Sequence, residues 1–244
     1  MSHLHIPDGV IPIIWLMFGY AITAIILAVA LWRARDNDTA RRLPRLGVVA
    51  ALMLVGMSVE LGIIGYHVNL SVLAGILLGP WLRFIAAFIV NLILALFGHG
   101  GITVAGLNAL LIGSETILGW VIFRALASRN RLEVRYAAAL AVLLTLAIST
   151  TLMVGIVALT QTQPALVFSG PSADAPFLRF ELGAGEEDNP MASLDLGRFA
   201  QLVYFFGAVG WILEAVFTAV VIGFFARARP DLIEMGGQVG TRAD

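Results

Sequence analysis

The sequence contains no cysteine and no lysine among its 244 residues, so all 15 basic residues are arginine. Without cysteine the chain forms no disulfide and offers no thiolate metal ligand or cysteine nucleophile. Without lysine it has no phosphate-binding P-loop, because that motif needs a lysine to hold nucleotide phosphates. If the function of this chain consumes ATP, a separate subunit must bind the nucleotide.

Charge is also scarce, since charged residues make up 13% of the chain and hydrophobic residues 59%. Soluble domains usually contain about a quarter charged residues. A chain with a mean hydropathy of +0.92 needs lipid as its solvent. The composition therefore predicts an all-α, polytopic membrane helix bundle. We expect a single transmembrane domain over residues 1–244, because the spans use most of the length.

Long apolar runs mark the membrane-spanning segments. The runs are Val10–Trp32, Leu46–Gly65, Leu70–Phe97, Ile102–Leu126, Tyr136–Gln161 and Phe199–Arg227. The third run is interrupted around Gly79, and we interpret it as two short packed or re-entrant helices that turn at Pro80 to Arg83. This division predicts about seven transmembrane helices.

Arginine positions predict the orientation, because cytoplasmic loops collect arginine. Three groups of arginine occur, over residues 33–45, 124–135 and 227–242. The seven-span arrangement places all three on the cytoplasmic side, so the N-terminus is expected outside and the C-terminus inside the cell inner membrane. The outer loops are then Gly65–Asn69, Gly98–Gly101 and an extracytoplasmic acidic loop over residues 161–198. We interpret the acidic loop as solvated, with attraction of cations as the alternative.

The four histidines, His3, His5, His67 and His99, all fall on the outer side of this topology. Imidazole is a common ligand for nickel, cobalt, copper and zinc. A histidine near the membrane interface can equally be a structural hydrogen-bonding residue. The residues alone therefore indicate a candidate metal site and leave the structural alternative open.

The N-terminal segment, residues 1–9, favours metal binding further. A free α-amine, the next backbone nitrogen and an early histidine can wrap one divalent ion in fused chelate rings, a geometry suited to Ni(II) or Cu(II). Pro7 stiffens the chain, and Asp8 and Gly9 favour a turn into the first span. We interpret this segment as a metal-capping plug, with a frayed polar end as the alternative.

Three glutamates, Glu60, Glu115 and Glu214, lie within predicted spans. A charged group in lipid is costly, so each is expected to face the bundle interior with a partner. Their roles stay open between an ion path, a lock between helices and a contact with another subunit. Ser149 is interpreted as a packing residue.

Recognisable enzyme motifs are missing from the sequence. It contains no H-E-x-x-H zinc motif and no G-x-S-x-G nucleophile motif. It also has no dinucleotide-binding glycine fingerprint and no basic aromatic groove for nucleic acid. We therefore expect neither an enzyme nor a nucleic-acid partner.

Several motifs resemble the CbiM/NikM family, the substrate-capture components of energy-coupling-factor cobalt and nickel importers. The similar segments are His5-Ile6-Pro7-Asp8-Gly9, His67 with the later Leu78-Gly79-Pro80, Phe97-Gly98-His99-Gly100-Gly101, Trp211-Ile212-Leu213-Glu214 and Arg229-Pro230-Asp231-Leu232. The resemblance implies that Ni²⁺ or Co²⁺ is the transported ligand. It implies His5 and His67 as metal ligands, together with the N-terminal amine and the backbone nitrogen of the tail histidine. His99 stands where similar proteins carry a histidine or an acid, and it ranks below His67.

The resemblance also implies partner subunits. These are a transmembrane coupling subunit, cytoplasmic ATPase subunits and a small accessory membrane subunit, which agrees with the missing P-loop lysine. A self-contained secondary carrier or channel for divalent cations is the alternative. Such a carrier needs a charged relay and often an internal repeat, and neither is evident.

The N-terminus departs from the family pattern, in which the tail histidine is usually the second residue. Here four residues precede His5, so the amine is too distant to join it in one chelate. One hypothesis is that translation starts at position 4, where Leu4 would be read as Met. The other is that His3 replaces His5 as the tail ligand.

Overall fold

The computed structural model describes residues 11–35, 42–58, 67–98, 101–128, 132–159 and 196–233, except for the side chain of Pro80. All regular elements in these segments are helical, which confirms the all-α prediction for this part of the chain. The elements are α1 (Ile13–Arg33), α2 (Leu43–Ser58), α3 (Ser71–Leu96), α4 (Ala105–Ala127), α5 (Val134–Leu159) and α6 (Leu196–Ala228), followed by a 3₁₀ turn at Pro230–Leu232.

Four of these helices, α1, α4, α5 and α6, are long and apolar enough to cross a membrane, whereas α2 and the Trp81–Leu96 part of α3 are shorter apolar helices. The helices lie close to the predicted apolar runs. For example, α5 covers Val134–Leu159, against a predicted Tyr136–Gln161. The count of seven spans and the outside position of the N-terminus stay predictions.

Helix α3 is interrupted where the sequence predicted a turn. Gly79 has φ 74° and ψ 173°, which breaks the helix between Ser71 and Leu96. A residue without Cβ adopts this backbone conformation at the least cost. Arg83, which is 1% exposed, donates from Nε to the Gly79 carbonyl oxygen at 2.7 Å. The helix is thus broken one residue before the predicted turn at Pro80 to Arg83, while the division into two short spans stays a prediction.

Helix ends that carry arginine meet at one end of the bundle, which we call the arginine end. The Arg33 guanidinium, at the end of α1, lies 5.3 Å from the ring centroid of Trp81. Arg83 and Arg124 lie 4.4 and 5.2 Å from the ring of Trp120. Cations stacked on aromatic faces in this way gain electrostatic attraction from the ring.

The C-terminal part of α6 reaches the same end. Arg229 donates two hydrogen bonds of 2.9 Å to the carboxylate of Asp231. These bonds, together with the charges of Arg229 and Arg45, hold the pKa of Asp231 below its usual value. Because Arg45 lies near the start of α2, this interaction brings the last arginine group beside the first.

A hydrophobic cluster is buried near the opposite end of the bundle. It joins the residues before α1 and α4 to α5 and the beginning of α6; its members are Ile11, Val104, Leu111, Met153, Val157, Phe199 and Val203. The side of the membrane that each end faces stays a prediction.

Candidate metal site

His67 begins a short non-helical segment between α2 and α3, which we call the 67–70 segment. His67 itself is half-buried, while Asn69 and Leu70 are buried, with 0% and 4% exposure. The segment packs closely on α2, because the Val68 N–H donates to the Gly56 carbonyl oxygen at 3.2 Å.

Glu214 of α6 binds the backbone of this segment. Its Oε2 accepts the N–H of Asn69 at 3.3 Å, and its Oε1 accepts the N–H of Leu70 at 3.1 Å. Leu70 has a φ of 55° and caps the N-terminus of α3. Successive N–H groups near a left-handed residue form a concave anion-binding site, and here the anion is the fully buried Glu214 carboxylate.

Glu115 of α4 binds the side chain of the same residue. Its Oε2 accepts a hydrogen bond from Nδ2 of Asn69, and its Oε1 accepts one from the hydroxyl of Ser149 on α5. Glu115 is 0% exposed. Three helices therefore converge on Asn69 through a carboxylate cluster, which consists of Asn69, Glu115, Ser149 and Glu214.

The 67–70 segment lies in the interior of the bundle. Glu115 is ten residues beyond the first residue of α4, Ala105, which corresponds to about 15 Å at the helical rise per residue. The described part of the predicted outer loop Gly65–Asn69 is therefore buried between helices, and the side of the membrane on which it lies stays a prediction. Hydropathy alone does not separate an interfacial loop from an interior one, and here the buried carboxylates provide the hydrogen bonds that interior backbone requires.

Of the predicted metal ligands, the structure describes only His67. His3, His5 and His99 lie outside the described residues, as do Glu60, the tail over residues 1–9 and most of the predicted loop over residues 161–198; the last residues of that loop form the first turn of α6. Within the described segments, no three His, Asp or Glu side chains gather as a metal site. The convergence of the histidines stays a prediction.

The expectation that membrane-embedded glutamates need partners is confirmed for Glu115 and Glu214. Two of those partners were missed from the sequence. Asn69 was not singled out, and the interpretation of Ser149 as a packing residue was wrong because its hydroxyl binds Glu115. A count of hydrogen-bond donors could have indicated both, since a buried carboxylate requires donors that the other apolar residues of a span do not supply.

The histidine and the glutamates of this region have different chemical roles. The carboxylate oxygens accept hydrogen bonds from N–H and O–H donors, so they fix the backbone and side chains around them. The imidazole of His67 is the one borderline-soft nitrogen ligand in the 67–70 segment, and imidazole suits nickel, cobalt, copper and zinc. The cluster thus supports a segment that presents a nitrogen ligand inside the bundle.

Comparison with known proteins identifies the family to which this chain belongs. The family model described as "Cobalt uptake substrate-specific transmembrane region", CbiM, matches residues 5–232. A protein of Methanococcus voltae named as a cobalt transport protein CbiM is 27% identical over 240 residues, which cover 95% of each chain. A protein of Archaeoglobus fulgidus named as a fused nickel transport protein NikMN is 26% identical over 98% of this chain and 71% of its own length.

A solved structure shares the fold. The crystal structure of a transition metal transporter superimposes with a TM-score of 0.71, at 21% identity, over 92% of this chain and 93% of that one. Such a likeness supports the helical architecture independently of any single motif. The family match covers nearly the whole chain, including His5, His67 and His99. The chain therefore belongs to the CbiM family and is a multi-pass inner-membrane component of a cobalt or nickel transporter rather than an enzyme.

Proposed function

We propose that this chain captures Ni²⁺ or Co²⁺ for an ATP-driven importer. His67 supplies an imidazole ligand from inside the bundle, and a tail histidine with backbone and terminal nitrogens completes the site from outside. The position of the 67–70 segment carries the proposal. It is a histidine-bearing turn fixed by two buried carboxylates in the interior of a metal-transporter fold.

The tail is long enough to reach that depth. Ile11 belongs to the apolar cluster at the end of the bundle opposite the arginines. His5 lies six positions before Ile11, and an extended chain spans about 20 Å over that number of residue steps. The 67–70 segment lies about 15 Å inside the same end, by the helical rise along α4. Either His5 or His3 can therefore approach His67.

Nitrogen ligands of this kind do not by themselves decide between the two ions. Most nitrogen sites bind nickel more tightly than cobalt, so the choice depends on geometry and metal supply. The relatives' names include both metals. His99 is a further candidate ligand because it follows Gly98, next to the end of α3.

The ATPase must belong to other subunits, because a chain without lysine has no P-loop of its own. We propose a transmembrane coupling subunit, cytoplasmic ATPase subunits and a small accessory membrane subunit as partners. The arginine end would face the ATPases, since it is the end expected on the cytoplasmic side.

Calorimetry on the purified protein tests the site. His67→Ala is expected to abolish high-affinity binding of Ni²⁺ and Co²⁺ while the protein still folds, because it removes a ligand from the proposed site. Gly155→Ala is the control, since a Cβ at Gly155 meets nothing within 4 Å. Unchanged metal affinity in His67→Ala would show that His67 is not a metal ligand.

Uptake assays separate the importer from a self-contained carrier. Cells that express this chain with its ATPase and coupling subunits are expected to accumulate ⁶³Ni²⁺ or ⁵⁷Co²⁺ faster than cells that express the chain alone. Replacing the P-loop lysine of the ATPase should reduce uptake to the rate of cells that express the chain alone. Full-rate uptake by the chain alone, unaffected by the ATPases, would instead support the secondary carrier or channel.

A further inference from the structure

The carboxylate cluster gives the molecule a feature that metal ligation alone does not explain. Two glutamates, Glu115 and Glu214, lie at 0% exposure within the bundle. Burying a carboxylate in a membrane protein is costly, and both of these bind the 67–70 segment. Coordination of a metal ion by His67 does not by itself require either carboxylate.

We propose that Glu214 is a positioning residue for the metal site. It holds the backbone of the 67–70 segment so that the His67 imidazole has a fixed position when the ion arrives, and Glu115 supports the same segment through Asn69. Neither carboxylate is a metal ligand in this account. The inference rests on the proposed function, because it assumes that His67 binds the ion.

The two glutamates differ in the chemistry of their partners. Glu214 accepts two backbone N–H groups, at 3.3 and 3.1 Å. A backbone N–H donates and never accepts, so both oxygens of Glu214 are needed. Glu115 accepts from a side-chain amide and from the hydroxyl of Ser149. A hydroxyl donates or accepts according to its neighbour, so one side of Glu115 adapts to a different partner.

This difference predicts opposite results for the same substitution at the two positions. In Glu214→Gln, one backbone N–H would face the new amide NH₂ group, donor against donor, and the segment would shift. In Glu115→Gln, the amide oxygen still accepts from Asn69, and the NH₂ group donates to the Ser149 hydroxyl, which reverses its role. Glu115→Gln therefore preserves the geometry although it removes the same charge.

Removing a residue that orients a metal ligand typically weakens metal affinity by about 10- to 100-fold. We expect a loss of that size for Glu214→Gln and a change of less than about threefold for Glu115→Gln. Thr218→Val is the matched control, because Thr218 is a fully buried polar residue one turn from Glu214 on α6. The control variant should bind metal like the wild type.

The experiment combines two measurements on the full chain in detergent. Calorimetry with Ni²⁺ gives the affinity, and hydrogen–deuterium exchange of the metal-free protein reports on the peptide that contains residues 67–70. Glu214→Gln is expected to raise exchange in that peptide and to weaken affinity, while Glu115→Gln and Thr218→Val leave both near wild-type values. If Glu214→Gln does not fold, Glu214→Asp replaces it, since the shorter carboxylate cannot hold both backbone N–H groups at their present distances and should likewise raise exchange and lower affinity.

Several results would overturn the proposal. Equal losses of affinity in both Gln variants would show that the negative charge matters rather than the position of the segment. Faster exchange in Glu214→Gln with unchanged affinity would show that the cluster holds the segment without affecting the site. If the wild-type protein binds neither ion, the proposed function fails; unchanged exchange in Glu214→Gln would separately refute a role for Glu214 in holding the segment.

Discussion

Helix α1 and the first part of α3 are both apolar, yet they occupy opposite environments. Of the 21 residues of α1, only Gly19, Thr23 and Ala30 are buried, whereas every residue from Ser71 to Gly79 in α3 is buried. Helix α1 contacts the bundle along a narrow line of small residues. The beginning of α3 is enclosed by other helices and follows directly on the 67–70 segment.

The comparison shows where polar groups are tolerated in this fold. The polar contacts of α1 are few, and its buried Thr23 donates to the Gly106 carbonyl oxygen at 2.8 Å. Among the described residues, the interior holds the carboxylates of Glu115 and Glu214, with donors for each. A peripheral helix thus needs apolar side chains that face lipid. In the enclosed region, buried polar groups need hydrogen-bond partners and the helix backbones must pack closely.

The largest expected effect on stability comes from Gly75→Ala in the enclosed part of α3. A Cβ at Gly75 would collide with the backbone carbonyl oxygen of Thr116 on α4, and neither backbone can yield easily. We expect a loss of about 1 to 3 kcal/mol in the free energy of unfolding, measured by reversible denaturation in detergent.

Gly155→Ala serves as the control for that variant, because its Cβ would enter open space. Its free energy of unfolding should stay within about 0.5 kcal/mol of the wild-type value. Equal effects of the two substitutions would contradict the close contact between α3 and α4.

Gly56→Ala tests the contact between α2 and the 67–70 segment. Its Cβ would lie 2.7 Å from the carbonyl oxygen of Val68, so the segment that carries His67 must shift. We expect Ni²⁺ affinity to fall about tenfold, in the range found when residues that orient a ligand are disturbed. Gly47→Ala on the same helix has nothing within 4 Å of its Cβ and should bind like the wild type. Identical Ni²⁺ affinities of the two variants would show that the contact between Gly56 and Val68 does not affect the metal site.

The smallest effect is expected at the edge of the bundle. Thr23→Val removes the hydrogen bond from α1 to Gly106 at almost constant volume. Hydrogen bonds between membrane helices contribute about 0.6 kcal/mol on average, so the free energy of unfolding should fall by that amount. Thr23→Ser keeps the hydroxyl and should restore most of it; failure of the serine to do so would assign the loss to packing instead.

The sequence predicted the helices well because their signal is local. Apolar runs and arginine groups gave helices close to those observed, and Pro80 beside Gly79 indicated the break in α3. The charge pattern also predicted that the arginine groups lie at one end of the bundle, where the contacts of Arg33 and Arg45 place them.

The interior was less predictable because its contacts are distant in sequence. Asn69 binds glutamates that are 46 and 145 residues away. A single asparagine or serine between apolar residues has no periodic pattern, so only the fold shows which carboxylate it meets. The burial of the 67–70 segment was missed for the same reason.

X-ray absorption at the nickel edge of the loaded, purified protein tests the central claim most directly, namely that His67 and the tail bind the ion through nitrogen. We expect a first shell of nitrogen ligands near tetragonal geometry with outer-shell scattering from imidazole, and a weaker imidazole signal in His67→Ala. A shell of oxygen ligands without imidazole scattering, unchanged in His67→Ala, would contradict it.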